Sequence, residues 1–397
     1  MKRITYFNYL YDLYGISLGS TIKAVEMFRA LEQMGYQVGI HWRKAGESDN
    51  TSQFQVRRML KPVLARYLHE PNQLLRNIRY ARDEHRILCR EKPDMMIARL
   101  ETNVFSPLLL ASHLRVPFIA EVDSPVTYEI RHYTQHYYLP YRLLERMEME
   151  FIMRAEMAYC VSNQLKQYFV KRGVPEWKLR VISNGADTRR FNPHVSGQTV
   201  IEKHLLKGNT VIGFVGSFHY WHGVYHLIEL MDEMIRHYPK VVFLLVGEGG
   251  PLKNELYRYV AEKSLENQVV LTGLVDHEQI PAYINAMDIV LAPYPPLEFF
   301  YYSPVKIYEY MACGRAVVST EIGQIGELIT HGKNGMLCTP GRTDEMFQIL
   351  KQLMENVSLR RQIGRNAARL VASQHTWRHK AKQLSDLIEK VTDAYSV

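Results

Sequence analysis

The chain has 397 residues, 47% hydrophobic and 23% charged, an ordinary balance for a soluble globular protein and enough length for two domains with separate cores. No apolar run approaches the roughly 20 residues needed to span a bilayer. The net charge of +8 and a pI near 9.1 favour anionic partners.

The start is basic and then apolar, but Asn8, Tyr9 and Asp12 interrupt it too soon for a signal peptide, so 4–9 reads as a first strand. The stretch from Gly15 to Ser20 follows, then a helix over 21–34 closed by Gly35 and a strand over 38–41. Strand, glycine loop, helix and strand open a doubly wound α/β sheet. The loop lacks the G-x-G-x-x-G spacing, and both a ligand-approaching loop and a plain turn fit it. Residues 45–56 are polar and read as a loop. Basic residues then gather over 57–92. Within a helix expected over 72–90, Arg79, Arg82, Arg86 and Arg90 recur at helical spacing. Such a stripe suits either a solvated face or docking on an anionic membrane leaflet, where each basic residue adds about 1 kcal/mol. No aromatic-interleaved basic motif is present, so nucleic acid is not an expected partner.

A short strand over 94–98 leads to Arg99-Leu-Glu101, at the strand end where open sheets place ligands. A helix over 107–114 and a strand over 117–122 follow. That strand ends in Glu121-Val-Asp123-Ser-Pro125, where Asp123 suits a cap on the turn before proline. Next come a helix over 139–155, a strand over 158–162, a helix from 163 to near Gly173 and a strand over 179–182. Pro193, Gly197 and Gly208 break regular structure, which puts a domain boundary near 192–208. The pattern then restarts with a strand over 211–215, Gly216 to Gly223, a helix to His237 and an apolar strand over 241–246. Gly216 follows a strand, so its N–H suits a phosphate. A helix after Pro251, a strand over 268–271, a helix over 281–287 and a strand over 288–293 complete this run. The four cysteines, Cys89, Cys160, Cys313 and Cys338, suit neither zinc nor a disulfide framework, which implies reduced thiols in a cytoplasm.

The chain is organised around Ser303-Pro-Val-Lys306-Ile-Tyr-Glu309-Tyr-Met-Ala-Cys-Gly314, followed by a strand from Ala316. Ser303 and Pro304 read as an N-cap and a proline in the first helical turn. Lys306 and Glu309, three apart, share a helix face. A cation near free helical N–H groups suits phosphate, and a carboxylate one turn on suits sugar hydroxyls. An exposed ion pair on an ordinary helix has the same spacing. Helices over 344–354 and 359–372 follow, and His375-Thr-Trp377 opens a last helix to about 391.

The Ser-Pro-x-Lys-x-x-Glu-Tyr-Met-Ala stretch resembles the nucleotide-sugar site of retaining glycosyltransferases of family 4. Ser183-Asn184-Gly185-Ala186-Asp187 to Phe191 resembles that family's interdomain linker, and Gly323 to Gly335 another of its patterns. The resemblance implies the GT-B fold, two doubly wound Rossmann-like domains facing a central cleft. Residues 1–195, completed by a final helix over 377–397, would be the acceptor side, and 205–375 the donor side. It implies transfer of a sugar from a UDP- or GDP-linked donor to a hydroxyl of a sugar or lipid-linked glycan. No cofactor and no metal are implied, and the setting is the cytoplasm or the inner face of the membrane. Glu309 would hold the ribose hydroxyls and Lys306 the diphosphate or sugar. Gly19, Ser20, Gly216, Ser303 and Pro304 would lie along the phosphates, Leu274 and Val275 along the base, and Asp123 near a sugar. Tyr301, Ser217 and His222 would line the donor too, although the family motif has a glutamate where this chain has Tyr301 and basic residues where it has Ser217 and His222; His222 suits either a weaker phosphate cation or a surface histidine. A nucleotide-sugar 2-epimerase and a non-catalytic binder of nucleotide sugars or anionic surfaces share the pattern.

Overall fold

The computed structural model describes residues 2–9, 18–42, 69–133 and 140–395. The polar stretch 45–56 and the basic positions before residue 69 lie outside them. The chain divides into two compact units, the first built on residues 20–183 with the opening strand and the chain from Ala381, the second on Asn184–Lys380.

The first unit holds strands β1 (Arg3–Asn8), β2 (Gln37–Trp42), β3 (Met95–Arg99), β4 (Phe118–Val122), β5 (Met157–Cys160) and β6 (Leu179–Val181). Their order is β2-β1-β3-β4-β5-β6, and every pair is parallel. Helices α1 (Leu18–Gln33), α2 (His69–Glu91), α3 (Ser106–Leu114), α4 (Val126–Tyr133), α5 (Tyr141–Arg154) and α6 (Asn163–Val170) connect them. All residues of β3, β4 and β5 are buried, as strands covered on both faces require. The sequence reading assigned no element to 126–133. It is helix α4, whose first turn is capped from outside by the buried Glu148 of α5 accepting from the Thr127 N–H at 3.4 Å.

The second unit holds β7 (Thr210–Val215), β8 (Val241–Val246), β9 (Val269–Leu271), β10 (Ile289–Ala292), β11 (Ala316–Thr320) and β12 (Met336–Cys338), in the order β12-β11-β10-β7-β8-β9, again all parallel. Its helices are α7 (Gln198–Lys203), α8 (Val224–His237), α9 (Lys253–Glu262), α10 (Ile280–Asn285), α11 (Val305–Ala312), α12 (Ile325–Leu328), α13 (Thr343–Glu355) and α14 (Val357–Gln374). Along β8, Val242, Leu244 and Val246 enter one core cluster while Val241, Phe243 and Leu245 enter the other, so the sheet is the wall between two cores. Helix α8 buries Val224, Leu227, Leu230, Met231 and Met234, a three-to-four spacing that seats one face on that wall.

The division falls after Ser183, ahead of the 192–208 stretch in which the sequence placed it. Residues 184–191 pack with the second unit instead. Ala186 bridges Thr376, and a Cβ at Gly185 would stand 2.6 Å from the His375 carbonyl oxygen. Within 192–208 the chain forms α7, held by the buried Val200. The last helix, α15 (Trp377–Tyr395), begins in the second unit and ends in the first, where Tyr36 and Ser385 share a hydrogen bond of 2.8 Å. Among the described residues no helix is long and apolar enough to cross a membrane.

Candidate functional site

The strand order of the second sheet reverses between β7 and β10, the parallel neighbours at its centre. Only Ile289–Ile212 and Val290–Gly213 are in register there, so the strands part toward their carboxyl ends. Such a switch point is where open parallel sheets hold ligands. Gly216 follows β7, Tyr294 stands two residues past β10, and α11 brings Lys306 in its first turn.

Lys306 is half-buried, but its ammonium is fully so and has no hydrogen-bond partner among the described residues. It lies 4.5 Å from the Phe214 ring centroid and 5.9 Å from that of Tyr294, so aromatic faces replace part of its lost hydration. Burial lowers its pKa to about 7, with the Glu309 charge opposing the shift. Gly216 makes the room. At φ 146° it adopts a conformation open to glycine, and a Cβ there would stand 2.6 Å from the Lys306 ammonium. Its N–H, expected to be free for phosphate, donates instead to the Val246 carbonyl at 2.9 Å, because the β7–β8 ladder continues one residue past the strand.

His222 is not the surface histidine that its position suggested, nor a second cation. Its Nδ1 lies 2.7 Å from the Ser217 carbonyl, which can only accept, so Nδ1 carries the proton and Nε2 a lone pair. Burial first, then the Lys306 charge, push its pKa well below the usual histidine value, and it is neutral. The Ser217 hydroxyl is 3.0 Å from His219 Nδ1. A single 3-10 turn (Tyr220–His222) carries His222, and Gly223 ends it at φ 77°, where a Cβ would collide with the Pro293 carbonyl.

The lysine–glutamate surface pair, the alternative left open by the spacing, is absent. Glu309 is 7% exposed, and its Oε1 meets His277 Nε2 at 3.0 Å. His277 Nδ1 in turn receives Arg190 Nη2 at 3.2 Å, and Phe191 packs on the imidazole at 5.4 Å between centroids. Ser303 is not the N-cap of α11. Pro304 holds that position with no side-chain cap, and the Ser303 hydroxyl accepts from the Asn184 N–H at 3.0 Å. The Asn184 amide also donates to the Ser303 carbonyl. The linker is thus laced to this crevice through Asn184, Arg190 and Phe191. Tyr301 is buried against Phe299 and Tyr302, its ring 4.2 Å from that of Tyr302. Tyr310 anchors α11 to β7, accepting the Val215 N–H at 2.6 Å. Leu274 is 64% exposed, while Val275 packs on the core edge.

In the first unit, Asp123 does not serve the turn before Pro125. It belongs to a buried charge cluster at the carboxyl ends of the strands. Lys23 of α1 pairs with Asp123 and, at 2.7 Å, with Glu121. Arg99 reaches Asp123 at 3.0 Å, and the Tyr6 hydroxyl donates to Glu121. Lys23 and Arg99, outweighing the cost of burial, hold the Asp123 carboxyl below its usual range. Gly19 and Ser20 lie in the first turn of α1. The reading of the sequence missed His277, Arg190, Lys23 and Glu121 as site groups. Lys23 left a signal, since it stands one turn before Met27 on the helix face that buries Met27 and Leu31. Arg190 left none, because its partner is 87 positions away.

Residues 19–190 match the family model described as Glycosyltransferase Family 4, and residues 209–356 match that described as Glycosyl transferases group 1. The chain is a glycosyltransferase of this group 1 and family 4 type, and its fold is GT-B. It is 23% identical over 298 residues to the alpha-D-kanosaminyltransferase of Streptomyces kanamyceticus, covering 72% of this chain and 74% of that protein. It spans only 60% of the length of two other relatives it matches. Sucrose-phosphate synthase from Thermosynechococcus elongatus superposes with a TM-score of 0.77 at 18% identity, over 99% of this chain and 100% of that one. Anabaena HepE, crystallised with UDP, superposes with a TM-score of 0.71 at 20% identity, over 98% and 100%.

Proposed function

We propose that the chain moves a sugar from a nucleoside diphosphate to a hydroxyl of a sugar or lipid-linked glycan, with retention at the anomeric carbon. The observation that carries this reading is the buried ammonium of Lys306, without a hydrogen-bond partner among the described residues, at the switch point. A buried unpaired cation costs stability, and a diphosphate would supply the missing anion. HepE holds UDP in one crystal and UDP-glucose in another, which makes UDP the first donor to test.

In this mechanism Glu309 grips the ribose and backbone at Leu274 and Val275 lines the base. Lys306 stabilises the charge that gathers on the departing diphosphate more in the transition state than in the ground state. Ser303, Pro304, Ser217, Tyr301 and His222 shape the space around it, and Gly19 and Ser20 lie along the donor phosphates. The departing phosphate oxygen takes the acceptor proton, and Asp123 orients a sugar hydroxyl. No divalent ion is required. The exposed Arg79, Arg82, Arg86 and Arg90 of α2, beside the exposed Leu75 and Ile78, support docking on an anionic leaflet.

A thermal-shift screen with UDP, GDP and ADP tests the donor site, since a ligand that binds only the native state raises the melting temperature. One diphosphate should raise it in the native chain and not in Lys306→Ala. No shift with any of them, or an undiminished shift in the variant, would refute the site.

A further inference from the structure

We infer that His277 is a positioning residue that holds one oxygen of the Glu309 carboxylate through a proton whose place is set by Arg190, leaving the other oxygen for the ribose diol of the donor. This rests on the donor-site reading above and adds to it two residues outside the Ser303–Gly314 stretch.

A guanidinium carries only donors. Arg190 Nη2, at 3.2 Å from His277 Nδ1, therefore requires that Nδ1 accept. The imidazole is then neutral with its proton on Nε2, and that N–H donates to Glu309 Oε1 at 3.0 Å. A histidinium would point an N–H at an N–H. Three separate segments meet in this chain: Arg190 from the linker, His277 from the loop between β9 and α10, and Glu309 from α11. Phe191 packs on the imidazole and restricts its rotation. Among the described residues no other donor reaches the Glu309 carboxylate, which is itself buried, so its orientation depends on this contact. A hydrogen bond to a charged group in a site shielded from water is strong and directional. The same linker holds Ser303 through Asn184, so one segment sets both ends of the crevice.

The test is a calorimetric titration of UDP and its 2′,3′-dideoxy analogue, or of the GDP pair if the thermal screen selects guanosine. It is run on the native chain and on folded His277→Ala, His277→Gln, Glu309→Gln and the His277→Ala/Glu309→Gln double variant. His277→Ala should weaken the nucleotide about tenfold, the scale of one hydrogen bond to a charged group. It should leave the dideoxy analogue unchanged and add nothing on top of Glu309→Gln, and His277→Gln, which retains a donor, should recover most of the loss. Equal weakening of both ligands, or no effect of His277→Ala where Glu309→Gln weakens the nucleotide, would overturn the positioning role. If Glu309→Gln leaves the preference for the ribose hydroxyls intact, the donor-site assignment of Glu309 falls, and the role of His277 with it.

Discussion

A lysine ammonium with no hydrogen-bond partner among the described residues is an unusual thing to bury, and at Lys306 the sign of the consequence can be worked out. Burial lowers its pKa to about 7, against 10.5 for the free side chain. Between those values the unfolded chain binds the proton that the folded chain has released, so this group makes folding more favourable as pH rises through that window. Binding a diphosphate runs the other way. The anion restores the charged form, so above pH 7 the site must take up a proton as it binds. Nucleotide affinity should therefore fall by up to about tenfold per pH unit above 7. Calorimetry in two buffers of different ionisation enthalpy should show uptake of close to one proton at pH 8. A pH-independent affinity with no proton uptake would mean that the ammonium does not meet the phosphates. The sequence marked Lys306 and Glu309 because their spacing on a helix is local information. It could not show that Glu309 answers to His277, which is brought in by the loop after β9, or that His222 is half-buried and neutral.

At the scale of elements, α1, β3, β4 and the residue just after β4 hold four charges inside the first unit, and these balance as two cations and two anions. Removing one partner leaves its neighbours buried and uncompensated, a cost of roughly 3–5 kcal/mol. Lys23→Met should lower the urea-unfolding stability by that order, and a loss under about 1 kcal/mol would show that the cluster relaxes or is hydrated. Helix α2 presents the opposite case. Arg79, Arg82 and Arg86 are exposed, so replacing all three with glutamine should change stability little. It should, however, weaken binding to vesicles containing phosphatidylserine, read by sedimentation. Unchanged vesicle binding would leave the stripe as a solvated face. The basic spacing of this helix was legible from the sequence, whereas the charge cluster was not. Its members lie on or just after three elements, and only the misplaced lysine on the apolar face of α1 hinted at it.

For the whole molecule, the alternation of strands and helices was plain in the sequence because parallel strands buried on both faces read as apolar runs, as 241–246 does. The order of the strands was not, since nothing local says that β10 lies beside β7 while β9 lies at the edge. That order creates the switch point, and the switch point brings Gly216 against Lys306. The linker shows the same limit. Its motif was recognisable, but its work of tying Ser303 and His277 to the crevice depends on contacts across 119 and 87 positions. The most direct measurement is the crystal structure of the chain soaked with UDP or GDP. The account predicts a phosphate oxygen within about 3 Å of the Lys306 ammonium and the ribose hydroxyls on Glu309. A nucleotide bound elsewhere, with that ammonium still unpaired, would contradict it.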